Sequence, residues 1–591
     1  MDKHDPLEKI CHSLAHLLGA AVLELYPGSK LAIGPSIDNG FYYDIDVAGK
    51  ISDTDLPRIE VEMRKILKTW DKFEKIKETE KTAKARYIGN PHKTELIQEL
   101  ADKKEEITSY QSGRFVDLCR GGHVDNAKDI DPEAFKLSHV AGAYWRGNEK
   151  NTQLTRIYGL AFENKKKLEE HITMLEEAKK RDHKKLGQEL DLFTFSNLVG
   201  SGLPLWTPKG TLLRNLLDDY VWELRKKYGY QQVDIPHITK KELYEKSGHW
   251  EKFKDELFLI KTREGHEFAV KPMNCPHHTQ IYARKPHSYR ELPQRYANTT
   301  KVYRDEQSGE LAGLSRVRSI TQDDAHVFCR HNQVKEEIEK IWDIITEFYK
   351  ASGFELSIQL SFHDPKHQEK YLGNAEIWKK SEDQLRQVVK AKKAKAEEAV
   401  GQAAFYGPKI DFIGKDSIGR EWQVATIQLD MNMPERFDLN CINEKGEKER
   451  IVMIHAAIMG SLERFLSILI EHFAGSFPVW LSPVQAIILP ITDKQNEGAE
   501  KILNQLKEAG VRAELNSDNE TLGKKIRSAE LQKIPYLLIV GDKELQTGTV
   551  SIRKRGQRPT GEGGSTEASR PNVMKVKEFI EKITEEIIKK I

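Results

Sequence analysis

Three residues far apart in the chain offer one kind of chemistry between them. Cys275 lies in AVKPMNCPHH, His326 ends the polar run TQDDAH, and His455 closes the apolar run RIVMIH. One thiolate and two imidazoles make three ligands of a tetrahedral zinc, with the fourth position open as in catalytic zinc sites. Their wide separation also fits three unrelated residues. Near the N-terminus, His12 and His16 stand one helical turn apart on a shared face, and Cys119 and His123 repeat that spacing in VDLCRGGH. Four such side chains can form a second tetrahedral metal site, or a pocket that handles protons and positions water.

The segment Val302–Phe328 reads as two extended runs joined by a polar, glycine-containing loop. Period-two alternation in the second run puts Arg316, Arg318, Ile320, Gln322, Asp324 and His326 on one face, with Val317, Thr321, Ala325 and Val327 mainly on the other. Charged groups are rarely buried unless paired, so this face suits a polyanionic ligand and predicts the floor of a nucleotide site. The first run adds Arg304 and Glu306 on one side of its own pleat. Arg464 sits in GSLERFLSILIEHF, a helix whose Phe465, Leu466, Leu469 and Ile470 face a core, with Gly460 allowing close approach at its start. A lone arginine on such a helix is ordinarily a solvated charge. Its meaning depends on a partnership with Arg304.

These groups need elements to hold them. An apolar stripe of Leu213, Leu216, Leu217, Val221 and Leu224 predicts a long helix over Gly210–Tyr228, followed by a strand Gln232–Ile235 that Pro236 closes. Pro293 marks a break ahead of the polar strands. Residues 163–186 are charge-rich, with Leu168, Ile172 and Leu175 at helical spacing, and predict a solvated linker helix. From Ser482 onward, strand and helix patterns alternate: QAIILPI, a helix at Gly498–Glu508, VRAEL, a helix around Leu522–Leu531, PYLLIVG, TVSIRKR and a terminal helix from about Val576. That order predicts a small α/β domain with a largely parallel sheet. The Gly/Ser/Pro/Thr-rich stretch Arg555–Pro571 predicts a mobile loop.

Composition bounds the rest. With 591 residues, 38% hydrophobic and 31% charged, the chain has material for several cores, in a predicted division into 1–162, 163–186, 187–481 and 482–591. No apolar run approaches the roughly 20 residues of a membrane-spanning helix, and no secretory signal opens the chain. Five scattered cysteines without a CxxC pair argue against a disulfide framework and for a reducing cytoplasm. A net charge of +2 means that any nucleic-acid surface is local.

Together the motifs resemble the class II aminoacyl-tRNA synthetases. Gly210–Pro236 is similar to the first class motif, VYRDE with RVRSITQDDAHVF to the second, and GSLERF to the third. The segments NCP, TQDDAHVF, AFYGPKIDF, WQVATIQLD and MIHAAIMGSLERF narrow the resemblance to the threonyl-tRNA synthetase family. HSLAH, IGPSIDNGFYYDID and DLCRGGH resemble that family's editing domain, shared in outline with alanyl editing domains, and the last block resembles its anticodon-binding domain. The implied fold is α+β multidomain: an antiparallel-sheet catalytic core with helices, an N-terminal α+β editing domain and a C-terminal α/β anticodon-binding domain.

The resemblance implies a ligase that activates L-threonine with ATP, transfers it to tRNA(Thr) and hydrolyses mischarged seryl-tRNA(Thr). It implies one Zn2+ per subunit on Cys275, His326 and His455, Mg2+ with ATP, a homodimer and a cytoplasmic location. Arg304 and Arg464 would hold the α- and γ-phosphates and Arg316 would support the phosphate arm; Glu306 would contact adenine. Gln423, Thr426 and Gln428 would contact adenosine or hold Mg2+-bound phosphates. Met273, Gln322, Asp324, Tyr406 and Lys409 would line the threonine pocket, and His249 would be the base for transfer to tRNA. His12, His16, Lys93, Asp117, Cys119 and His123 would form the editing pocket, orienting water without metal. Asn519, Glu544 and Arg553 would read anticodon bases, although Arg553 in IRKRG also fits a solvated basic edge.

An apolar pocket separates threonine from valine by only about a hundredfold, and serine from threonine by about 1–3 kcal/mol, which is why metal selection and later hydrolysis belong together. The chain departs from the family in four expected ways. The small domain that often precedes the editing domain is expected to be absent, and Ile320 stands where an aromatic often stacks on adenine. NCPHH carries His277 where NCPGH has glycine, and Arg555–Pro571 is long. Two alternatives stand beside this reading. One is another class II ligase such as a prolyl enzyme, against which the Cys/His/His set argues. The other is a non-enzymatic tRNA sensor, which loss of Arg304 or Arg464 would signal; both are present.

Overall fold

A computed structural model describes residues 5–556 and 572–590. The chain divides into two compact units between Glu176 and Glu177.

The N-terminal unit is built on the helix Pro6–Leu25. Asp5 caps it by accepting the Leu7 N–H at 3.1 Å, and a proline occupies the first turn, where a missing N–H is no loss. Cys11, Leu14, Leu17, Leu18, Ala21 and Val22 are all buried, so the helix is apolar nearly all round and forms the core itself. It packs on Phe41, Tyr43 and Ile45 of an antiparallel sheet. The strand order there is Lys30–Leu31, Gly40–Asp46, Gln153–Ala161, Phe135–Tyr144, with Ser36–Ile37 paired to the second strand. A second antiparallel sheet, Glu74–Glu78, Ile107–Ser112 and Phe115–Leu118, carries Asp117 and leads directly into Cys119.

The expected linker helix over 163–186 is two helices, Lys165–Lys180 and His183–Glu189. The charged first helix buries only Leu168. Asp182 starts a new helix by accepting the Lys184 N–H at 2.7 Å, and that helix buries His183, Leu186 and Gly187 within the C-terminal unit.

An eight-stranded sheet organises the C-terminal unit. Its order is Gln231–Gln232, Gln294–Tyr303, Ser319–Cys329, Val452–Ala457, Glu421–Asp430, Lys409–Lys415, Glu355–Phe362 and Ala396–Val400, antiparallel except for the outermost pair at each end. Ala325, Val327, Ile427, Leu429, Ile454 and Ala456 share one apolar core with the helices Pro208–Lys227, Val334–Ala351 and Leu462–Phe473. Each fully buried Leu, Ile or Val side chain there contributes about 1.5–3 kcal/mol. Because side chains alternate, the intervening Asp324, His326, Gln428, Asp430 and His455 turn to the opposite face.

Two sequence expectations shift here. The polar strand starts at Ser319 and its partner ends at Tyr303, so Arg304, Glu306, Arg316 and Arg318 lie on the connecting loop and not on one alternating face. Arg304 N–H still donates to Arg318 O at 3.0 Å, but beyond it the runs part: Asp305 N–H donates to Glu256 O and Arg318 N–H to Gly202 O. The strand expected at Gln232–Ile235 is reduced to Gln231–Gln232, an edge strand parallel to its single neighbour, with one further bond from Val233 N–H to Ala297 O.

The last block forms a sheet ordered Ala513–Leu515, Ala486–Pro490, Tyr536–Val540, Thr549–Lys554, Asn572–Lys575. The first two pairings are parallel and the last two antiparallel, so the sheet is mixed and not largely parallel. The connection after Val540 holds only the short helix Asp542–Thr547, too little chain for a crossover back to the same end. Helices Asn496–Glu508, Leu522–Leu531 and Val576–Lys589 lie where the pattern places them. Of the stretch Arg555–Pro571, residues 557–571 lie outside the described residues. Among the described residues no helix is long and apolar enough to cross a membrane.

Candidate active site

Sheet register brings the dispersed donors together. His326 is the direct cross-strand neighbour of His455, which in turn faces Gln428 on the next strand. Cys275 is the first residue of the helix Cys275–Ala283, which packs on the strand that carries His326. The thiol and one nitrogen from each ring lie within 4.8 Å of one another, and all three residues are buried. His326 Nε2 is 3.0 Å from His455 Nδ1. The outer nitrogens are engaged elsewhere: His326 Nδ1 lies 2.8 Å from His278 Nδ1, and His455 Nε2 lies 2.9 Å from Asp430 Oδ2. Two inward ring nitrogens beside a thiol, with the outer nitrogens held by His278 and Asp430, suit the donor set of a tetrahedral zinc.

The electrostatics agree. Burial pushes the Cys275 thiol well above its ordinary pKa, and the Asp324 and Asp430 carboxylates push it further. Burial holds His326 well below the usual imidazole range, with His455 adding to the effect. Burial thus favours the neutral forms of Cys275 and His326, and a dication would reverse both tendencies by stabilising thiolate and taking the ring lone pair.

Most of the expected threonine-pocket residues converge on the same face. Asp324 is buried, raised by that burial, and accepts the Asn274 amide at 3.1 Å. Tyr406 stacks on the His455 ring at 4.8 Å and donates to Gln428. Met273 Sδ accepts from Arg304 at 3.2 Å, and Gln322 has a buried, unpartnered carbonyl oxygen. Lys409 pairs with Asp411 at 2.9 Å, and the same carboxylate accepts Gln423 and Thr426, each at 2.8 Å. Asp411 thus organises three expected residues at once.

The arginines differ in their commitments. Arg304 is half-buried, lies 5.4 Å over Phe253, and has an Nε with no hydrogen-bond partner. Arg464 projects, exposed, from the first turn of Leu462–Phe473. Arg316 is already paired with Glu306 at 2.7 Å and Glu310 at 3.2 Å, so the expected adenine contact and phosphate support are bound to each other. His249 is wholly buried, with Nε2 3.5 Å from Cys275 Sγ and Nδ1 2.9 Å from Ser247 Oγ. Burial, then His455 and Arg304, lower its pKa to about 3. In this conformation it is a neutral neighbour of the thiol and a poor proton acceptor.

In the N-terminal unit the four expected donors also meet. His12 Nε2 lies 3.0 Å from Cys119 Sγ, which lies 3.4 Å from His123 Nε2, and His16 packs 4.4 Å from the His123 ring. Lys93 and Asp117 form a buried ion pair at 2.6 Å. Tyr43 donates to Asp117 and accepts from Lys93 at 3.3 Å. Gly34 permits this, since a Cβ there would sit 2.4 Å from the Tyr43 ring. His12, His16, Lys93, Asp117 and Cys119 border a cavity of about 400 Å³. Burial raises the Cys119 thiol to about 11 and lowers His16 and His123 below the ordinary imidazole range, so burial disfavours the charged form of all three groups.

Comparison with known proteins follows this geometry. Residues 258–473 match the tRNA synthetase class II core domain (G, H, P, S and T), 485–586 the anticodon binding domain, and 107–158 the threonyl and alanyl tRNA synthetase second additional domain. A threonine–tRNA ligase of Porphyromonas gingivalis is 49% identical over 584 residues, covering 98% of this chain and 87% of its own. That of Rubrobacter xylanophilus is 46% identical over 589 residues, covering 99% and 90%. The chain belongs to the threonine–tRNA ligase family. Among solved structures, the RNA binding domain of threonyl-tRNA synthetase from Cryptosporidium parvum matches with a TM-score of 0.63 at 35% identity, over 68% of this chain and 98% of that one.

The ligase is thus a class II enzyme that joins threonine to its tRNA, with an editing-type domain and an anticodon-binding domain. The expected anticodon readers do not form one cluster. Asn519 follows Ala513–Leu515 and Glu544 follows Tyr536–Val540, both at the C-terminal edge of the parallel strands. Arg553 lies opposite Leu537 at the other edge, paired with Glu530. Glu544 accepts the Gly541 N–H at 3.0 Å and the Ser551 hydroxyl at 3.1 Å.

Sequence reasoning overlooked His278, Asp430, Asp411 and Tyr43. His278 had a signal, standing at i+3 from Cys275 on one helix, and Asp430 lies two residues beyond Gln428 on one strand face. Asp411 and Tyr43 had none, because only the register across strands brings them to their partners.

Proposed function

We propose that this ligase selects threonine through a zinc ion held by Cys275, His326 and His455, and forms threonyl-adenylate beside it. The observation that carries the reading is the single rung on which His326 and His455 turn their inner nitrogens toward the Cys275 thiol. When bound, zinc supplies a Lewis-acid site with an open position for the amino-acid amine and side-chain hydroxyl; valine has no hydroxyl to offer. Asp324 receives the amine or hydroxyl proton, and Tyr406, Met273, Gln322 and Lys409 enclose the side chain.

The threonine carboxylate attacks the ATP α-phosphorus in line, and pyrophosphate leaves with its electron pair. Arg304 stabilises charge on the α-phosphate and Arg464 on the γ-phosphate, by the fork geometry that suits guanidinium to phosphate. Glu306 and Arg316 act as a pair that frames the adenine and phosphate arm. Gln423, Thr426 and Gln428 contact the adenosine or the Mg2+-bound phosphates, with Asp411 setting the first two. Ile320 gives adenine an aliphatic contact in place of a stacked ring. His249 serves as base for transfer to the tRNA hydroxyl only in a conformation that releases it from Cys275.

Serine satisfies the same metal contacts, so the N-terminal pocket corrects the error. His12, His16, Cys119 and His123 hold water against the seryl ester without a metal, and the Lys93–Asp117 pair anchors the substrate. Asn519, Glu544 and Arg553 contact unpaired tRNA bases by the polar side-chain strategy usual for RNA loops. The working enzyme is a cytoplasmic homodimer acting on ATP, L-threonine and tRNA(Thr), organised as domains 1–162, 163–186, 187–481 and 482–591.

The deciding experiment pairs metal analysis with amino-acid-dependent ATP–pyrophosphate exchange. Cys275→Ala is expected to lose both zinc and threonine-dependent exchange. Normal exchange in that variant defeats the proposal.

A further inference from the structure

One imidazole outside the pocket joins two parts of the synthetic site. His183, the first residue of the helix His183–Glu189, is almost wholly buried. Its Nε2 accepts the Leu314 N–H at 3.1 Å, from the loop that carries Arg304, Glu306 and Arg316. Nδ1 therefore holds the proton and donates it to Glu471 Oε1 at 2.6 Å, near the C-terminus of the helix that begins beside Arg464. The His183 N–H donates to the same oxygen at 3.2 Å, and Arg420 pairs with the other carboxylate oxygen at 2.6 Å. Gly313 lets the ring approach the loop: a Cβ there would lie 2.4 Å from His183 Nε2, and its φ of +57° disfavours other residues.

Asp182, His183 and Glu471 could be read as a cation site from their proximity. The hydrogen bonds argue otherwise, because both ring nitrogens are committed to protein and Asp182 caps its own helix. A second tie runs in parallel, with Ser315 Oγ 3.0 Å from Ser467 Oγ, between the same loop and the same helix. Leu314 itself is buried in the main core, so the loop is pinned at its middle.

We propose that His183 is a positioning residue for adenylate formation, locking the arginine-bearing loop to the Arg464 helix so that the two phosphate arginines keep a fixed relation. This rests on the assignment of ATP phosphates to Arg304 and Arg464. Removing the ring's bonds frees the loop and weakens ATP binding, while the threonine pocket, built on the sheet and the Cys275 helix, is left in place.

The test compares His183→Phe, which keeps a ring and loses both bonds, with His183→Gln, whose single amide can donate to Glu471 and accept from Leu314. In threonine-dependent pyrophosphate exchange, His183→Phe is expected to raise the KM for ATP about tenfold, the effect of losing buried hydrogen bonds. KM for threonine should hold steady, and His183→Gln should recover most of the loss. Gly313→Ala, which displaces the loop from the other side, should raise the KM for ATP as well. Thermal unfolding separates a folding defect: a lowered midpoint with both KM values unchanged overturns the proposal, as does an unchanged KM for ATP in a well-folded His183→Phe. Arg464→Ala serves as the control. If that variant keeps a normal KM for ATP, the phosphate assignment has failed; if it loses ATP binding and His183→Phe does not, the strap has failed.

Discussion

At the residue scale, the metal-type cluster owes its competence to neighbours that make no claim on a substrate. His455 uses its outer nitrogen on Asp430 and His326 on His278, and those bonds decide which nitrogens face inward. Residues in this outer position typically tune metal affinity by about 10–100-fold. Asp430→Asn is accordingly expected to weaken zinc retention by about that factor in a chelator competition, because an amide no longer polarises the His455 ring. Unaltered retention in a folded variant would show that the carboxylate is a bystander. Among the described arginines many are paired with carboxylates, as Arg316 is with Glu306, whereas Arg304 and Arg214 each keep a buried Nε without a hydrogen-bond partner.

At the element scale, the helix that carries Arg464 is fixed to the polar strand by two buried carboxylates. Asp323 accepts the N–H groups of Ile458 and Met459 at 2.7 and 2.9 Å and pairs with Arg225 of the helix Pro208–Lys227 at 2.6 Å. Glu463 accepts the N–H and hydroxyl of Thr321, each at 2.7 Å. Elements far apart in the sequence thus meet on one strand. Removing one partner of a buried pair strands the other charge, at about 3–5 kcal/mol. Asp323→Ala should lower stability by about that amount in denaturant unfolding, and a loss under about 1 kcal/mol would mean that Arg225 finds water instead.

At the scale of the molecule, the proposed function puts synthesis and correction in different compact units, each of which holds its own cluster of His and Cys side chains. In the proposed function the two pockets solve opposite problems: one would accept a hydroxyl, the other would admit the amino acid that lacks only a methyl group. Their independence is testable. A variant carrying His12→Ala and Cys119→Ala should accumulate seryl-tRNA(Thr) in a deacylation assay while threonine-dependent exchange proceeds at the parent rate. Equal deacylation by variant and parent removes the N-terminal pocket from that role.

The sequence by itself determined the candidate donors, the apolar stripes and the family, because residue types, helical spacing and strand alternation are local properties written along the chain. It foresaw Cys275, His326 and His455 as one set, and His12, His16, Cys119 and His123 as another. Only the tertiary structure decided that the polar strand begins at Ser319, leaving Arg316 and Arg318 on a loop, that the C-terminal sheet is mixed, and that Arg553 stands apart from Asn519 and Glu544. It alone supplied Asp430, His278, Asp411, Tyr43 and His183 as partners. The reason is physical: a pairing register is a relation between strands, set by which backbone groups find each other across the sheet, and no pattern within one strand records it.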